Sequence, residues 1–416
     1  MVEATYQDSS MHWSQTLAWK RTAIFIALMF ILAGIVRGIN FPNLWAYTHY
    51  LLPCADFFVK RTAIGCIVEA VGILDFFRYE FFVYYSFLIL FIFWLSLSLK
   101  LTTTIRKSEF AALLGVLVFC AGPTPIYLSN MSGYFDFLGA LLILLSISII
   151  SFRLKFLVAT LGFLFLVLVH EAILVIFLPL AVIDLCMSAY ETDKKLRGKR
   201  LWFVGGMGLS LLSLALLVAN SSITPEMATD FLKLAQQKTT IPLHNAVFDV
   251  FSRNISGNRD VMLGFIEVIS HENFQLKNFV LQIVSFMLGT LLITYLNFRM
   301  ARHIYGSKLI AAAISFAPLS ALSLLFVAAD IMRWTAWATV CSFCLYMILC
   351  TKGGAVALHS SRTPLVLIVL FALSQAAVEI PLFSPREDKS VVSSTISYIQ
   401  GVLTGAGSIS PSRPIY

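Results

Sequence analysis

Long apolar stretches that recur along almost the whole chain constrain its fold more than any other feature. An α-helix needs about 20 mostly apolar residues to cross the hydrocarbon core of a bilayer. About eleven stretches of this 416-residue sequence meet that requirement. The predicted spans are residues 22–38, 81–99, 109–127, 134–152, 154–169, 172–188, 201–220, 278–298, 309–329, 333–351 and 363–383. The sequence therefore predicts an all-α, polytopic integral membrane protein whose first partner is the lipid bilayer.

The composition supports this class. Hydrophobic residues make up 59% of the chain and charged residues 12%, against roughly 45–50% and about 25% in soluble domains. So little charge cannot cover the surface of a water-soluble body, which excludes a soluble enzyme, a disordered scaffold and a secreted disulfide-rich domain. The net charge of +8 does not indicate nucleic-acid binding, because the basic residues fall singly between apolar runs instead of clustering on one face.

The stretch 154–185 leaves the number of spans open. It is about 32 residues long and is interrupted only by His170 and Glu171. It can form one long tilted helix, two short spans or a re-entrant pair. Cytoplasmic loops are enriched in Lys and Arg, and a single crossing here would put the later basic loops outside. The charge distribution therefore favours a pair of short helices.

With that choice, the N-terminus is predicted to be cytoplasmic and the C-terminus external. The short inner segments then hold more than half of the 30 basic residues. Residues 1–383 form a single membrane domain with two outer loops, about 38–80 and 221–277, and 384–416 form an external tail. Both loops are predicted to be ordered, the first by its aromatic, amphipathic pattern and the second by a helix that Thr224 caps.

The cysteines and the nucleotide-binding motifs give little further information. Cys54 and Cys66 share the first outer loop, where they form either a disulfide or two free thiols. No zinc-ligand spacing, Walker loop or dinucleotide fingerprint is present in the sequence. ATP-driven transport by this chain alone is therefore not expected.

Ionisable residues inside or beside the apolar spans are the strongest functional signal, because each costs about 2.5–3.5 kcal/mol on insertion scales. Asp136, in SGYFDFLGALLILL, is either a carboxylate favoured by a helix N-terminus or part of a site. His170 and Glu171, in LVLVHEAILVIFLPL, are either a polar turn, a proton-transfer pair or contacts to a phosphate or sugar hydroxyl. Zinc proteolysis is rejected, because Leu174 stands where a second histidine would be needed.

The segment FVAADIMRWTAWATV carries the next group. Asp330 and Arg333 are spaced i, i+3, so they can meet on one helical face as a structural ion pair. Arg333 also suits bidentate phosphate binding. Trp334 and Trp337 are either interfacial aromatics or a stacking surface for a sugar ring. Glu379, near the outer end of the last span, carries less information because interface depth tolerates charge.

The predicted topology places all these residues at the outer ends of their spans. At the inner ends of the predicted spans, Asp184 is the only comparable ionisable residue in the sequence. A transporter is expected to hold its key charges near the midplane between its gates. A one-sided group beside two large outer loops instead favours chemistry on the external face.

This arrangement resembles the GT-C superfamily of polytopic glycosyltransferases and the membrane polymerases of bacterial surface polysaccharides. The segments that carry the resemblance are GYFDFLGALL, HEAILVIFLP and DIMRW. The resemblance implies a multi-pass protein of the bacterial inner membrane in polysaccharide biosynthesis, with a polyprenyl-phosphate-linked sugar as donor. It also implies an acidic residue soon after the first span, whereas here the first carboxylate after that span is Asp56.

The resulting hypothesis is an external-face sugar transferase. Asp56, or failing it Asp75, acts as general base or binds a divalent metal ion. Asp136 positions the acceptor, His170 and Glu171 handle the proton or a hydroxyl, and Arg333 holds the departing phosphate while Asp330 orients it. The alternative is a flippase or transporter for a lipid-linked or small polar solute, in which residues 122–125 break the third span. A membrane subunit without chemistry is the third interpretation.

Overall fold

The computed structural model describes residues 3–52, 60–72, 78–107, 113–191, 194–261, 263, 273–326 and 330–358, and within these ranges the chain is helical with no strand. Seven described helices are long and apolar enough to cross a membrane, and a bent helix pair makes an eighth. The seven are Ala18–Gly38, Tyr79–Lys107, Phe152–Val169, Ala172–Tyr190, Lys195–Asn220, Lys308–Phe326 and Ile331–Thr351. The predicted all-α architecture, with several helices long and apolar enough to span a membrane, is confirmed for the described residues. The count of eleven spans and the orientation of the termini stay predictions.

The described helices overlap most of the predicted spans. In chain order the main ones are α1 (Glu3–Gly38), α2 (Leu44–Tyr50), α3 (Ala63–Ala70), α4 (Tyr79–Lys107), α5 (Leu113–Ala121), α6 (Thr124–Asn130), α7 (Asp136–Ser146), α8 (Phe152–Val169), α9 (Ala172–Tyr190), α10 (Lys194–Asn220), α11 (Pro225–Gln236), α12 (Asn245–Ser252), α13 (Asn273–Tyr305), α14 (Lys308–Phe316) and α15 (Ile331–Thr351). A 3-10 segment, Ala317–Phe326, extends α14.

Three of the eleven predicted spans are not among these eight candidates, namely 134–152, 278–298, which lies within α13, and 363–383. The predicted span 134–152 contains α7, which has only 11 residues, fewer than the roughly 20 that a full crossing needs. The helix begins at Asp136, and turns follow its end at Ser146. The predicted span 363–383 lies outside the described residues.

A sharp corner separates α8 from α9. His170 adopts an extended conformation, with φ −163° and ψ 110°, and so ends α8. The Ala172 backbone N–H donates to His170 Nδ1 at 3.2 Å, which replaces a helical bond at the start of α9. The interpretation of 154–185 as one long helix is therefore wrong, and the interpretation as two short helices is confirmed.

The third predicted span is bent. Helices α5 and α6 meet at 47°, where Gly122 and Pro123 intervene. Helix α1 packs against this region so closely that a Cβ on Gly38 would overlap the Ile126 carbonyl oxygen. Only glycine permits that approach of two backbones. The sequence-based suggestion that residues 122–125 break this span is confirmed.

The two segments predicted to be outer loops, about 38–80 and 221–277 and called the first and second outer loops below, pack against each other. Lys60 Nζ donates to the Arg253 carbonyl oxygen at 2.6 Å, and the His244 N–H donates to Thr48 Oγ1 at 3.0 Å. The predicted cap of the second loop is present, since Thr224 accepts from the Met227 N–H. Cys66 is disulfide-bonded, whereas Cys54, its predicted partner, lies outside the described residues. Both loops are therefore ordered where they are described.

Helix α15 is the centre of the described bundle, and nearly all its residues are buried. On α13, Thr290 Oγ1 lies 2.5 Å from Thr339 Oγ1, and Asn297 Nδ2 donates to the Ser342 carbonyl oxygen at 2.8 Å. Such small polar contacts let membrane helices approach closely. They fix the position of α15 and of the arginine in its first turn.

Candidate functional site

A buried ion pair between α7 and α15 forms the middle of the site. Arg333 Nε donates to Asp136 Oδ2 at 2.6 Å, and the Asp136 side chain is fully buried. Its second oxygen, Oδ1, is buried without a hydrogen-bond partner among the described residues. Because a buried charge requires both a counter-charge and hydrogen bonds, this oxygen is left able to accept a bond from a hydroxyl or a water.

Asp330, the residue before α15, makes a second and looser contact with the same arginine. Its Oδ2 lies 3.7 Å from Arg333 Nη1, and its Oδ1 accepts a hydrogen bond from the Tyr127 hydroxyl at 3.1 Å. The i, i+3 contact expected from the sequence is therefore present. Tyr127 lies on α6, so this bond also connects the bent span to the site.

Aromatic rings flank the Arg333 guanidinium. Its Cζ lies 4.7 Å from the centroid of Tyr134 and 4.6 Å from that of Trp334. Asn43 Nδ2 donates to the Tyr134 hydroxyl at 3.0 Å, which attaches this ring to the first outer loop. Trp337, in contrast, is fully buried against core phenylalanines, including Phe93. Its role in this structure is packing, and it presents no free face.

Glu171 is bound by Arg61 from the first outer loop. Arg61 Nε lies 3.1 Å and 3.0 Å from the two carboxylate oxygens, and its Nη2 also donates to Oε1. Arg61 is the described non-glycine residue with positive φ, at 65°. Burial alone would raise the pKa of Glu171, but Arg61 and then His170 lower it well below its usual value. Glu171 therefore stays ionised and acts only as an acceptor.

His170 lies between the two ion pairs. Arg333 Nη2 is 3.5 Å from its Nε2, and Glu171 Oε2 is 3.8 Å from its Nδ1, which is beyond a hydrogen bond. Its Nδ1 accepts instead from the Ala172 N–H. Burial, and then the charge of Arg61, lower its pKa well below the usual value. His170 is therefore a neutral imidazole at pH 7.

Sequence reasoning did not identify His49 as a site residue. Its Nδ1–H donates to the Trp45 carbonyl oxygen at 2.8 Å, so its Nε2 is an acceptor, and this atom is buried without a partner in the described part of the chain. Burial, then Arg61, lower its pKa to about 3. The available signal was the single histidine four residues after Trp45 in the aromatic helix α2.

Lys60 and Arg61 are further members that the sequence suggested only as polar residues of an amphipathic loop. Lys60 is 2% exposed, and burial lowers its pKa to about 8. Both residues follow directly on the undescribed stretch 53–59. Lys60 and Arg61 add positive charge to a site for which the residues predicted from the sequence were mainly acidic.

Three predicted residues, Asp56, Asp75 and Glu379, lie outside the described residues. The described residues contain no group of three or more His, Cys, Asp or Glu side chains placed to hold a metal ion. The role of Asp56 or Asp75 as a base or metal ligand stays a prediction. Five residues from separate parts of the sequence, Asp136, His170, Glu171, Asp330 and Arg333, do come together.

The arrangement combines fixed cations with unused acceptors. Arg333 and Arg61 supply guanidinium groups, while Asp136 Oδ1 and His49 Nε2 lack partners among the described residues. Such a set can orient hydroxyls, accept a proton and stabilise a phosphate charge.

Comparisons with protein-family models, with curated proteins and with solved structures found no match to this chain.

Proposed function

We propose that this protein is a membrane glycosyltransferase or polymerase that moves a sugar from a polyprenyl-phosphate-linked donor on the external face. The observation that carries the proposal is the buried Asp136–Arg333 pair, in which the carboxylate keeps one oxygen that no described residue bonds. An arginine beside an unused acceptor matches a reaction in which a phosphate leaves and a hydroxyl attacks.

The chemistry assigns a task to each group. The acceptor oxygen bonds to the anomeric carbon, the bond from that carbon to the phosphate oxygen breaks, and the phosphate leaves with the electron pair. Arg333 uses Nε for Asp136, while Nη1 and Nη2 make longer contacts of 3.7 Å and 3.5 Å. These two nitrogens are available to bind the leaving phosphate, whose charge a guanidinium matches well.

The hydroxyl proton needs a base. Asp56 or Asp75 is the candidate from the sequence. Neutral His170 accepts the Ala172 N–H at Nδ1, so its proton is on Nε2 and it serves as a hydrogen-bond donor to the substrate. Asp136 Oδ1 orients the acceptor hydroxyl. Glu171, held ionised by Arg61, keeps the histidine corner in place and is not assigned the proton transfer.

The proposal includes the eleven predicted spans, of which the one containing α7 has a helix shorter than a full crossing. It places the N-terminus in the cytoplasm, the C-terminus outside and the protein in the bacterial inner membrane. Contacts between distant segments support this topology, because they join loops assigned to the same side. Lys352 pairs with Glu191 on the inner side, and Arg61 pairs with Glu171 on the outer side. The disulfide bond of Cys66 supports an external first loop, since disulfides persist in oxidising compartments.

The experiment is a transfer assay in membranes, with polyprenyl-phosphate hexoses as donors and isolated surface polysaccharide as acceptor. Asp136→Asn and Arg333→Ala should each reduce transfer by at least roughly a hundred-fold, as loss of a charge-stabilising group does in other active sites. Asp260→Asn, on an exposed outer residue paired with Arg259, is the matched control and should retain transfer. Full transfer by both site variants at normal protein levels would overturn the proposal.

A transporter is the second candidate, and two observations favour it. The span α5–α6 is broken, and Tyr127 after the break contacts Asp330. A second buried ion pair, Lys155–Asp184 at 2.7 Å, joins α8 and α9 farther along their length. Broken helices and charged groups away from one face are features of transporters.

Cysteine labelling distinguishes the two candidates. Asn130→Cys places a thiol at the partly exposed last residue of α6, in a chain whose native free cysteines are replaced by alanine. Labelling by membrane-impermeant reagents from both sides, with substrate-dependent changes in access, would favour transport. Labelling from the outside alone would favour the transferase.

A further inference from the structure

A cavity of about 570 Å³ lies at the other end of the bundle from the charged cluster. Helix α15 carries Arg333 in its first turn and ends at Thr351, and its 21 residues extend about 30 Å. The cavity lies near that second end, between the last turns of α13 and the 3-10 segment Gly354–Leu358. Its lining is Tyr295, Phe298, Arg299, Arg302, His303, Val356 and Ala357.

The lining residues of α13 form one stripe. Tyr295, Arg299 and Arg302 are spaced i, i+4 and i+7, so they share a helix face. Phe298 and His303 fall on the same face, which places the aromatic rings toward the bilayer interior and the cations at the helix end. Tyr295 is 50% exposed on the outside of the bundle. Aromatic rings at headgroup level with basic residues beyond them are typical of a lipid interface.

The residues that line the cavity carry positive charge, and the wall formed by the 3-10 segment is held against α13 by a hydrogen bond. No acidic residue lines it among the described residues. Glu191, an acid from the neighbouring loop, is already paired with Lys352. Arg299 Nη2 donates to the Ala357 carbonyl oxygen at 3.0 Å, which ties α13 to the 3-10 segment. The result is an open groove in which Arg302 and His303 are exposed lining residues and one wall is held by the Arg299 hydrogen bond.

We propose that this cavity binds the phosphate group of an anionic lipid. Basic pockets between membrane helices bind acidic headgroups, and arginine donates two parallel hydrogen bonds to a phosphate. The apolar wall of Val356 and the rings of Tyr295 and Phe298 accommodate the start of the lipid tail. The phosphate belongs either to a bulk phospholipid or to a polyprenyl carrier. The inference is independent of the reaction proposed for the charged cluster.

The test is native mass spectrometry of the full chain, purified in detergent and titrated with four probes. The probes are phosphatidylglycerol, polyprenyl monophosphate, phosphatidylcholine and inorganic phosphate. At least one of the two anionic lipids should bind more tightly than phosphatidylcholine and inorganic phosphate. The tighter of the two identifies the source of the phosphate. Equal binding of phosphatidylcholine, or of inorganic phosphate, would overturn the proposal.

The matched variants locate the site. The double variant Arg299→Gln and Arg302→Gln should weaken anionic-lipid binding by roughly ten-fold or more, the effect of losing charge-assisted hydrogen bonds. Lys308→Gln removes an exposed charge from the same segment outside the cavity and should change binding by less than about two-fold. Val356→Trp fills the cavity without removing a charge, so it should weaken binding even if the arginine variant fails to fold. Equal losses in the lysine and arginine variants would contradict the site.

Discussion

Arg61 binds both carboxylate oxygens of Glu171 while its own backbone lies in the left-handed region, at φ 65°. The two residues are 110 positions apart, so the contact joins the first outer loop to the corner between α8 and α9. Left-handed backbone costs an L-residue roughly 1–2 kcal/mol. The chain keeps an arginine there instead of a glycine, which indicates that the side chain's contact outweighs the strain.

A comparison of two substitutions separates these opposing effects. Arg61→Ala and Arg61→Gly both remove the guanidinium, but only glycine adopts this conformation without strain. We expect Arg61→Gly to be the more stable of the two by about 1–2 kcal/mol in unfolding measurements in micelles. Both should be less stable than the wild type, because Glu171 is left buried without its partner. Equal stability of the two variants would contradict the left-handed assignment.

The buried pair of Asp136 and Arg333 should respond strongly to the loss of one partner. Asp136→Asn or Arg333→Gln leaves a charge buried without its main counter-charge, which typically costs about 3–5 kcal/mol. The double variant removes both charges and should lose less than the sum of the singles. Unfolding free energies of the four proteins in mixed micelles give the coupling. Additive losses would show that the two side chains do not interact.

The neutral histidines make stability depend on pH. The pKa of His49 is lowered to about 3 by burial, then by Arg61, whereas an unfolded histidine has a value near 6.5. Below pH 6.5 the unfolded chain therefore binds the extra proton and the folded chain does not. We expect the unfolding free energy to fall from about pH 6.5 toward pH 3, by up to about 1.4 kcal/mol per pH unit for each such histidine.

Thermal unfolding between pH 4.5 and 8 checks this dependence. His49→Gln should flatten the decline, and His170→Gln should do the same because burial and Arg61 also lower the pKa of His170. Asn245→Gln, an uncharged exposed position on α12, serves as the control and should leave the profile unchanged. Glu171, with its lowered pKa, adds a further loss only below its unfolded value near 4.5. A flat wild-type profile would refute the neutral assignment.

The close packing of α1 on the bent span predicts opposite effects for two glycines. Gly38→Ala makes the new Cβ overlap the Ile126 carbonyl oxygen, so α1 must move and stability should fall by more than about 1 kcal/mol. Gly205, on α10, has open space in the Cβ direction, with no described atom within 4 Å. Gly205→Ala should therefore be neutral or stabilise the helix by up to about 1 kcal/mol. Similar thermal midpoints for both variants would count against the α1–α6 contact.

The fold was predictable to the extent that apolar length determines it. Helix length and the break near Pro123 follow from local sequence, because each depends on residues within one or two turns. The corner at His170 was instead favoured by the charges of the later loops. The short helix α7 was not predicted. Its apolar run continues past Ser146, and the turns after it have no glycine or proline to mark them.

The candidate site was predictable in its members but not in its pairings. Isolated acids in apolar runs identified Asp136 and Glu171, since charge in a span is costly wherever it occurs. Their partners lie 197 and 110 residues away, and no local pattern encodes such contacts. His49 was missed because a single histidine in an aromatic segment carries no spacing signal, and only the packed loop shows that its Nε2 faces no described partner.

The distance along the chain between Asp136 and Arg333 also sets a problem of timing during biosynthesis. At roughly 5–20 residues per second, the ribosome makes the arginine roughly ten to forty seconds after the aspartate. Over that interval the carboxylate enters the membrane without the guanidinium that later neutralises it. The early helices therefore cannot reach their final packing in the order in which they are made. The packing around Asp136, in the first third of the chain, is completed only after Arg333, in the last quarter, has been synthesised.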